Sequence, residues 1–192
     1  NESDLSKFSK HLNNAVKINN PLSFSSSEIT CLSEKKIIAV GRLEYQKGFD
    51  ILIDIFARVN KEHPGWELHI YGVGTCEEFL RDKINQYKLN NIKLMGCVDN
   101  IQLYYPKYSV FVFSSRFEGF GMVLLEAMEC GLPCISFDCP TGPSEILGNG
   151  QYGILVENGN VTKFSAELAD LMSDKEKKIK LSANIYNSKL TI

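Results

Sequence analysis

From residue 36 onward the chain alternates short apolar runs with amphipathic stretches, the texture of a parallel sheet covered by helices on both faces. Ile37, Ile38, Ala39 and Val40 form a run too short and too uniformly apolar for a surface helix, and Gly41 closes it, which predicts a first buried strand. Phe49, Leu52, Ile53, Phe56 and Val59 then recur at helical spacing. Residues 66–71 alternate into a second strand with Trp66 as a packing anchor at its start, Gly72 and Gly74 turn it, and 77–89 follow as a helix. Residues 92–95, closed by Gly96, and 109–113 predict a third and a fourth strand, with a short helix over 101–108 between them. A helix over 122–130 is stopped by Gly131 and Pro133. Strands at 134–137 and 152–156 and two closing helices complete an α/β, Rossmann-like parallel sheet of about six strands flanked by helices on both faces.

Residues 1–34 differ. They are mostly polar, with Val16 and Ile18 as an apolar patch before Pro21 and a Ser-rich stretch at 23–27, and they read as an arm or interdomain linker. Residues 35–192 read as one domain, since 192 residues with 44% hydrophobic content bury one good core. The chain opens on Asn1 rather than methionine, which reads as an excised piece.

Charge and cysteine usage narrow the function classes. A net charge of −2 lacks the basic footprint that nucleic-acid binding requires. Lys175, Lys177, Lys178 and Lys180 are the local exception and read as the solvated face of a terminal helix, against a membrane-surface or partner contact. Cys31, Cys76, Cys97, Cys130, Cys134 and Cys139 show no CxxC spacing and read as small reduced core residues of a cytoplasmic protein. No apolar stretch approaches the roughly 20 residues that cross a bilayer, and no signal peptide opens the chain, so a soluble protein is expected. His11, His63 and His69 are scattered, which argues against a metal site.

In an open parallel sheet, ligands bind beyond the carboxyl ends of the strands, so the loops after each strand carry the candidate chemistry. After the first strand, Arg42 and Lys47 stand in a loop bounded by Gly41 and Gly48, able to aim a guanidinium and an ammonium at one diphosphate or simply to lie solvated. After the second, Gly72 and Gly74 resemble the start of a dinucleotide fingerprint, but Glu77 stands where a third glycine belongs. A tight turn or a close backbone approach explains those glycines as well. After the fourth, Ser114 to Gly121 leads into a helix whose N-terminal N–H groups and dipole suit an anion. Glu118 and Glu126 bracket an apolar, glycine-bearing run there, and a buried carboxylate in such a run costs several kcal/mol unless it is given donors. Glu126 faces either a ligand crevice or a salt bridge. After the fifth strand, 138–145 is rich in turn formers, with Asp138 and Ser144 as candidate caps and Glu145 starting a short helix.

Taken in order, Val40, Gly41, Arg42 and Leu43 with Lys47 to Asp50, then Tyr71 to Gly74, Gly96 before Val98, Asp99 and Asn100, the run 117–127 and finally Gly131 with Pro133 carry a resemblance. The chain resembles, from about residue 17 to its end, the donor-binding half of a retaining glycosyltransferase of family 4, with the B-type glycosyltransferase fold. Residues 135–146 further resemble members that use UDP-hexoses.

The resemblance implies roles. Arg42 and Lys47 would hold the donor diphosphate and offset the charge that builds as the sugar–phosphate bond breaks. Glu118 would hold hydroxyls of the transferred sugar, and Glu126 would accept the ribose hydroxyls. The N–H groups of Gly119, Phe120, Gly121, Met122 and Val123 would meet sugar and phosphate, with Gly41 and Gly72 beside them, while Cys97 and Val98 would face the nucleobase. It implies α-retaining transfer of a hexose or N-acetylhexosamine from a nucleotide sugar, UDP-linked by preference, to a saccharide or lipid-linked acceptor in surface-polysaccharide synthesis. No Asp-x-Asp motif occurs, and no metal or other cofactor is expected. Such enzymes are about twice this length, so an acceptor-binding N-terminal domain is expected outside this chain, and with it any peripheral contact with the inner face of the membrane. Two other readings stand beside this one. A non-catalytic nucleotide-sugar-binding module has no need of Arg42, Lys47, Glu118 and Glu126 together, and an NAD-dependent oxidoreductase lacks its third glycine.

Overall fold

Six short strands pair side by side, all in parallel, in the order β3-β2-β1-β4-β5-β6. They are β1 (Lys36–Val40), β2 (Glu67–Tyr71), β3 (Ile92–Gly96), β4 (Val110–Phe113), β5 (Cys134–Asp138) and β6 (Ile154–Glu157). A computed structural model of the chain describes residue 30 and residues 32–189, so most of the arm expected over 1–34, with His11 and Cys31, lies outside the described residues. The helices are α1 (Phe49–Val59), α2 (Glu77–Tyr87), α3 (Met122–Glu129), α4 (Pro143–Ile146), α5 (Val161–Ser173) and α6 (Lys175–Lys189).

Strand alternation sorts the core into two layers. Ile37, Leu68, Ile70, Val110 and Val112 meet Leu52, Phe56, Leu80, Phe164 and Leu168 of α1, α2 and α5 on one face. Ile38, Tyr71, Phe111 and Phe113 meet Leu124, Ala127 and Met128 of α3 and Ile185 of α6 on the other. Both faces of the central strands are dry, which is why those strands read as continuous apolar runs. Among the described residues no helix is long and apolar enough to cross a membrane.

Three expectations need correction. The helix expected over 101–108 is two 3-10 turns, Ile101–Leu103 and Tyr105–Lys107. Pro106 lacks the N–H of a continuing helix and crowds the preceding turn, and the bonds that form, Tyr104 N–H to Ile101 O and Lys107 N–H to Tyr104 O, span three residues. The four-residue α4 takes Gly142 as its N-cap with no side-chain cap, and Ser144 lies inside it. The third concerns the lysine-rich stretch. Lys175 and Lys180 are exposed, but Lys178 is buried, its ammonium donating to the carbonyls of Leu171 and Met172 at 3.0 and 3.1 Å and lying 5.3 Å from the centre of the Trp66 ring. It satisfies the open carbonyls at the end of α5. Trp66 is itself buried at the start of β2, as a packing anchor should be. Cys130, Cys134 and Cys139 are buried, as core cysteines should be, whereas Cys97 is exposed.

His69 is a packing histidine. Its Nε2 lies 2.8 Å from a Glu67 carboxylate oxygen and its Nδ1 2.8 Å from the Tyr108 hydroxyl, which is 2.9 Å from the Tyr71 hydroxyl. A carboxylate only accepts, so Nε2 carries the proton, Nδ1 accepts from Tyr108, and Tyr108 accepts from Tyr71. Burial lowers the His69 pKa from its ordinary 6.5, outweighing the Glu67 carboxylate that raises it. An unfolded chain therefore takes up this proton first as pH falls. The stability tied to neutral His69 is present above pH 6.5 and lost as pH drops from there toward the lower folded value. Urea midpoints should fall between about pH 7.5 and about pH 5.5, a window above the ordinary carboxylate range, and His69→Gln should flatten that slope.

Candidate functional site

The strand order reverses between β1 and β4, since β1 continues outward to β2 while β4 continues to β5. The loops that leave these two strands part at that point and form a crevice, and both carry residues singled out in the sequence.

After β1 the chain makes a 3-10 turn, Tyr45–Lys47, and Gly48 at φ 64° caps it and starts α1. All three carbonyls of that turn accept from the β4 loop. Tyr45 O takes Arg116 Nη1 at 2.7 Å, Gln46 O takes the Arg116 N–H at 2.8 Å, and Lys47 O takes Ser114 Oγ at 2.9 Å. The Lys47 stem crosses directly over Gly41, where a Cβ would lie 3.1 Å from its methylenes. Its ammonium ends 2.6 Å from Glu118 Oε1.

Glu118 is held from three sides. Besides Lys47, Ser115 Oγ donates to Oε1 at 2.6 Å and Gln46 Nε2 reaches Oε2 at 3.4 Å. The Lys47 and Glu118 side chains are only 14% and 6% exposed, so each charge depends on the other, and removing one partner of such a pair costs about 3–5 kcal/mol. Arg42 differs. It is exposed and makes no salt bridge among the described residues, although its charge is one of the lesser causes, after the Thr75 hydrogen bonds, that lower the Glu44 pKa.

Gly121 at φ 102° opens α3. Among the described residues, the N–H groups of Gly119, Phe120, Gly121, Met122 and Val123 donate to no acceptor of the fold, which leaves an open cluster of donors beside Glu118. On the helix that follows, Glu126 makes no salt bridge among the described residues. Its Oε2 accepts from the Tyr105 hydroxyl at 3.0 Å, and Tyr105 is fully buried. Burial first, and then the Glu126 charge, raise the Tyr105 pKa far above its ordinary value, so this phenol stays a neutral donor. A tyrosine thus gives one Glu126 oxygen a donor, and the other accepts no hydrogen bond among the described residues.

On the far side of Gly41 runs a groove lined by Arg42, Gly72, Gly96, Cys97, Val98 and Ile101. Gly72 and Gly74 serve the loops themselves. A Cβ on Gly72 would lie 1.9 Å from the Gly41 carbonyl oxygen, and one on Gly74 would lie 2.5 Å from that of Leu43. The β1 and β2 loops interlock there.

The β5 loop closes over the other end. The Thr141 hydroxyl donates to the Glu118 carbonyl, and a Cβ on Gly142, at φ 104°, would stand 1.8 Å from the Phe120 carbonyl oxygen. The structure therefore brings Gly41, Lys47 and Glu118 into one contact chain and gathers Arg42, Gly72, Cys97 and Val98 along the groove, while Glu126 stands on α3. The residues that sequence reasoning missed are Ser115, Tyr105, Thr141 and Arg116. Ser115 and Arg116 stand next to the 117–127 run and Thr141 lies within the turn-rich 138–145 stretch, but no local pattern points to their partners. Among the described residues no group of three or more His, Cys, Asp or Glu is placed to hold a metal ion.

The family model described as glycosyl transferases group 1 matches residues 27–188. The chain belongs to this family. Among relatives of the group 1 chain, the amylovoran biosynthesis glycosyltransferase AmsD of Erwinia amylovora is 36% identical over 150 residues, which covers 78% of this chain and 42% of AmsD. The pneumococcal O-GlcNAc transferase GtfA, solved with UDP and GlcNAc, superposes with a TM-score of 0.75 at 29% identity over 97% of this chain and 38% of that one. The C-terminal domain of a group 1 glycosyl transferase, LpcC of Francisella tularensis, superposes with a TM-score of 0.71 at 26% identity, covering 85% of this chain and 87% of that domain. The six-stranded α/β fold is thus that of B-type glycosyltransferase neighbours, and the chain spans less than half the length of AmsD or of GtfA.

The interlock of the β4 and β5 loops gives a direct test. Gly142→Ala places a methyl against the Phe120 carbonyl at a backbone angle that disfavours it, and should cost ~2 kcal/mol or more in urea unfolding. Gly150→Ala, also at positive φ but with nothing within 4 Å of its Cβ, should cost ~1 kcal/mol.

Proposed function

We propose that this chain is the donor-binding domain of a retaining, metal-independent glycosyltransferase of family 4, which takes a hexose or N-acetylhexosamine from a UDP-linked sugar. The acceptor is a saccharide or lipid-linked saccharide of cell-surface polysaccharide synthesis, bound by an N-terminal domain outside the 35–192 unit. The observation that carries this reading is the chain of contacts at the switch point. The Lys47 ammonium meets Glu118 at 2.6 Å beside the open N–H groups of α3, with Arg42 in the adjoining groove. A nucleotide sugar has a part for each region. The nucleobase lies along Gly72, Cys97 and Val98, Glu126 takes ribose hydroxyls on its uncommitted oxygen, and the diphosphate meets Arg42, Lys47 and the N–H groups of Gly119, Phe120, Gly121, Met122 and Val123. Glu118, salt-bridged to Lys47, accepts from hydroxyls of the transferred sugar.

The chemistry follows from charge. As the bond from sugar to diphosphate breaks, negative charge grows on the leaving oxygens, and Arg42, Lys47 and the α3 dipole stabilise it in place of a divalent ion. The departing diphosphate helps take the acceptor's proton on the same face, so the α configuration is kept. AmsD, named for polysaccharide biosynthesis, and the UDP and GlcNAc complex of GtfA support the substrate class.

Calorimetric titration with UDP, UDP-hexoses, GDP-mannose and NAD tests the reading. UDP and at least one UDP-sugar should bind, and NAD binding with no response to any sugar nucleotide overturns it. Arg42→Ala should weaken UDP binding roughly tenfold or more, the worth of one charge-assisted contact. Glu118→Gln should weaken UDP-sugar binding more than UDP binding, and equal losses for UDP alone in both variants contradict the division of roles. The 192-residue chain by itself should show no measurable sugar transfer.

A further inference from the structure

Arg116 lies in none of the positions to which the family resemblance assigns a role, yet it makes more contacts between the two site loops than any residue assigned one. Its guanidinium pairs with both oxygens of Asp50, at 2.8 and 2.7 Å, in the first turn of α1. The same group donates to Tyr45 O at 2.7 Å and lies 3.9 Å from the centre of the Tyr45 ring, while the Arg116 backbone N–H donates to Gln46 O at 2.8 Å. The Arg116 and Asp50 side chains are 19% and 24% exposed, and their hydrogen-bonded pairing raises the Arg116 pKa and lowers that of Asp50 despite the burial that opposes it. This is a sheltered, two-pronged ion pair, a geometry that lysine does not reproduce.

What the pair holds is the backbone that carries Lys47. Arg116 supplies the donors for two of the three carbonyls in the Tyr45–Lys47 turn, and Asp50 fixes the helix that follows, so the turn is gripped on both flanks. The Lys47 side chain then runs over Gly41 to Glu118, which stands two residues after Arg116 on the opposing loop. Both ends of the Lys47–Glu118 contact are therefore referenced to one residue, whose guanidinium grips the Lys47 side and whose backbone leads to Glu118. We propose that Arg116, with Asp50 as its counter-charge, is the positioning residue that sets the Lys47 ammonium for the donor diphosphate. Arg116 does so without touching the ligand, and its cation is neutralised by Asp50 rather than offered to phosphate. This inference rests on the donor-binding reading above.

The test separates positioning from general loss of structure by dividing the ligand. Uridine engages the groove of Gly72, Cys97 and Val98 with its base and Glu126 with its ribose, and the Arg116 side chain contacts neither, whereas UDP also engages Lys47. Arg116→Ala should weaken UDP binding by calorimetry at least about tenfold, the scale set by losing the supporting bonds of a binding group, and leave uridine binding, followed by NMR shifts, unchanged. Arg116→Lys should resemble Arg116→Ala. Should Arg116→Ala fail to fold, Asp50→Asn, which keeps the shape and removes the counter-charge, should weaken UDP selectively in the same sense. UDP affinity within about twofold of the unaltered chain, or equal loss of UDP and uridine, overturns the positioning role while leaving the donor-binding reading intact. Absence of UDP binding by the unaltered chain overturns the donor-binding reading itself and the role with it.

Discussion

All five strand pairings are parallel, and that single constraint organises the rest of the molecule. A parallel pair cannot be joined by a hairpin, so each strand must be followed by a return path across a face of the sheet. Every loop that leaves a strand's carboxyl end therefore lies along one rim. Arg42 and Lys47, Gly72, Cys97 and Val98, Glu118, and Thr141 each follow a different strand, and the topology collects them there. The reversal between β1 and β4 then opens a crevice between two of those loops without distorting either strand.

On this rim the energetics run through a charge pair. Lys47 and Glu118 are nearly removed from water, which is costly for either alone, and Ser115 and Gln46 supply hydrogen bonds that help offset the cost. Glu126 is treated differently, with one oxygen anchored by a phenol that belongs to the core. The two glutamates eight positions apart thus stand in separate electrostatic settings, one salt-bridged and one held by a neutral donor.

Much of this was legible in the sequence, and the reasons differ by element. Strands buried on both faces announce themselves as short apolar runs, and the glycines that close β1 and β3 lie at strand ends where the backbone must turn. The loops that carry Arg42, Lys47, Glu118 and Glu126 could be placed because each follows such a strand. Pro106 turned one expected helix into two 3-10 turns, and Lys178 hides in a stretch that reads as solvated because its neighbours are. Arg116 was invisible for another reason. Its partner Asp50 is 66 positions away, and only the strand order brings the two together. Glu126 read as a salt bridge or a ligand contact because its real partner, Tyr105, sits in a segment whose path no local pattern indicates.

The close approach of Gly142 to the Phe120 carbonyl, together with the grip of Arg116 and Ser114 on the Tyr45–Lys47 turn, has a dynamic consequence. The loop that carries Glu118 is bonded to its neighbours on both sides and cannot swing without breaking contacts with each. It is built as an anvil rather than a hinge. A ligand that enters meets donors already in place and pays little ordering entropy at this wall, and the adjustment that binding demands falls on free side chains such as Arg42.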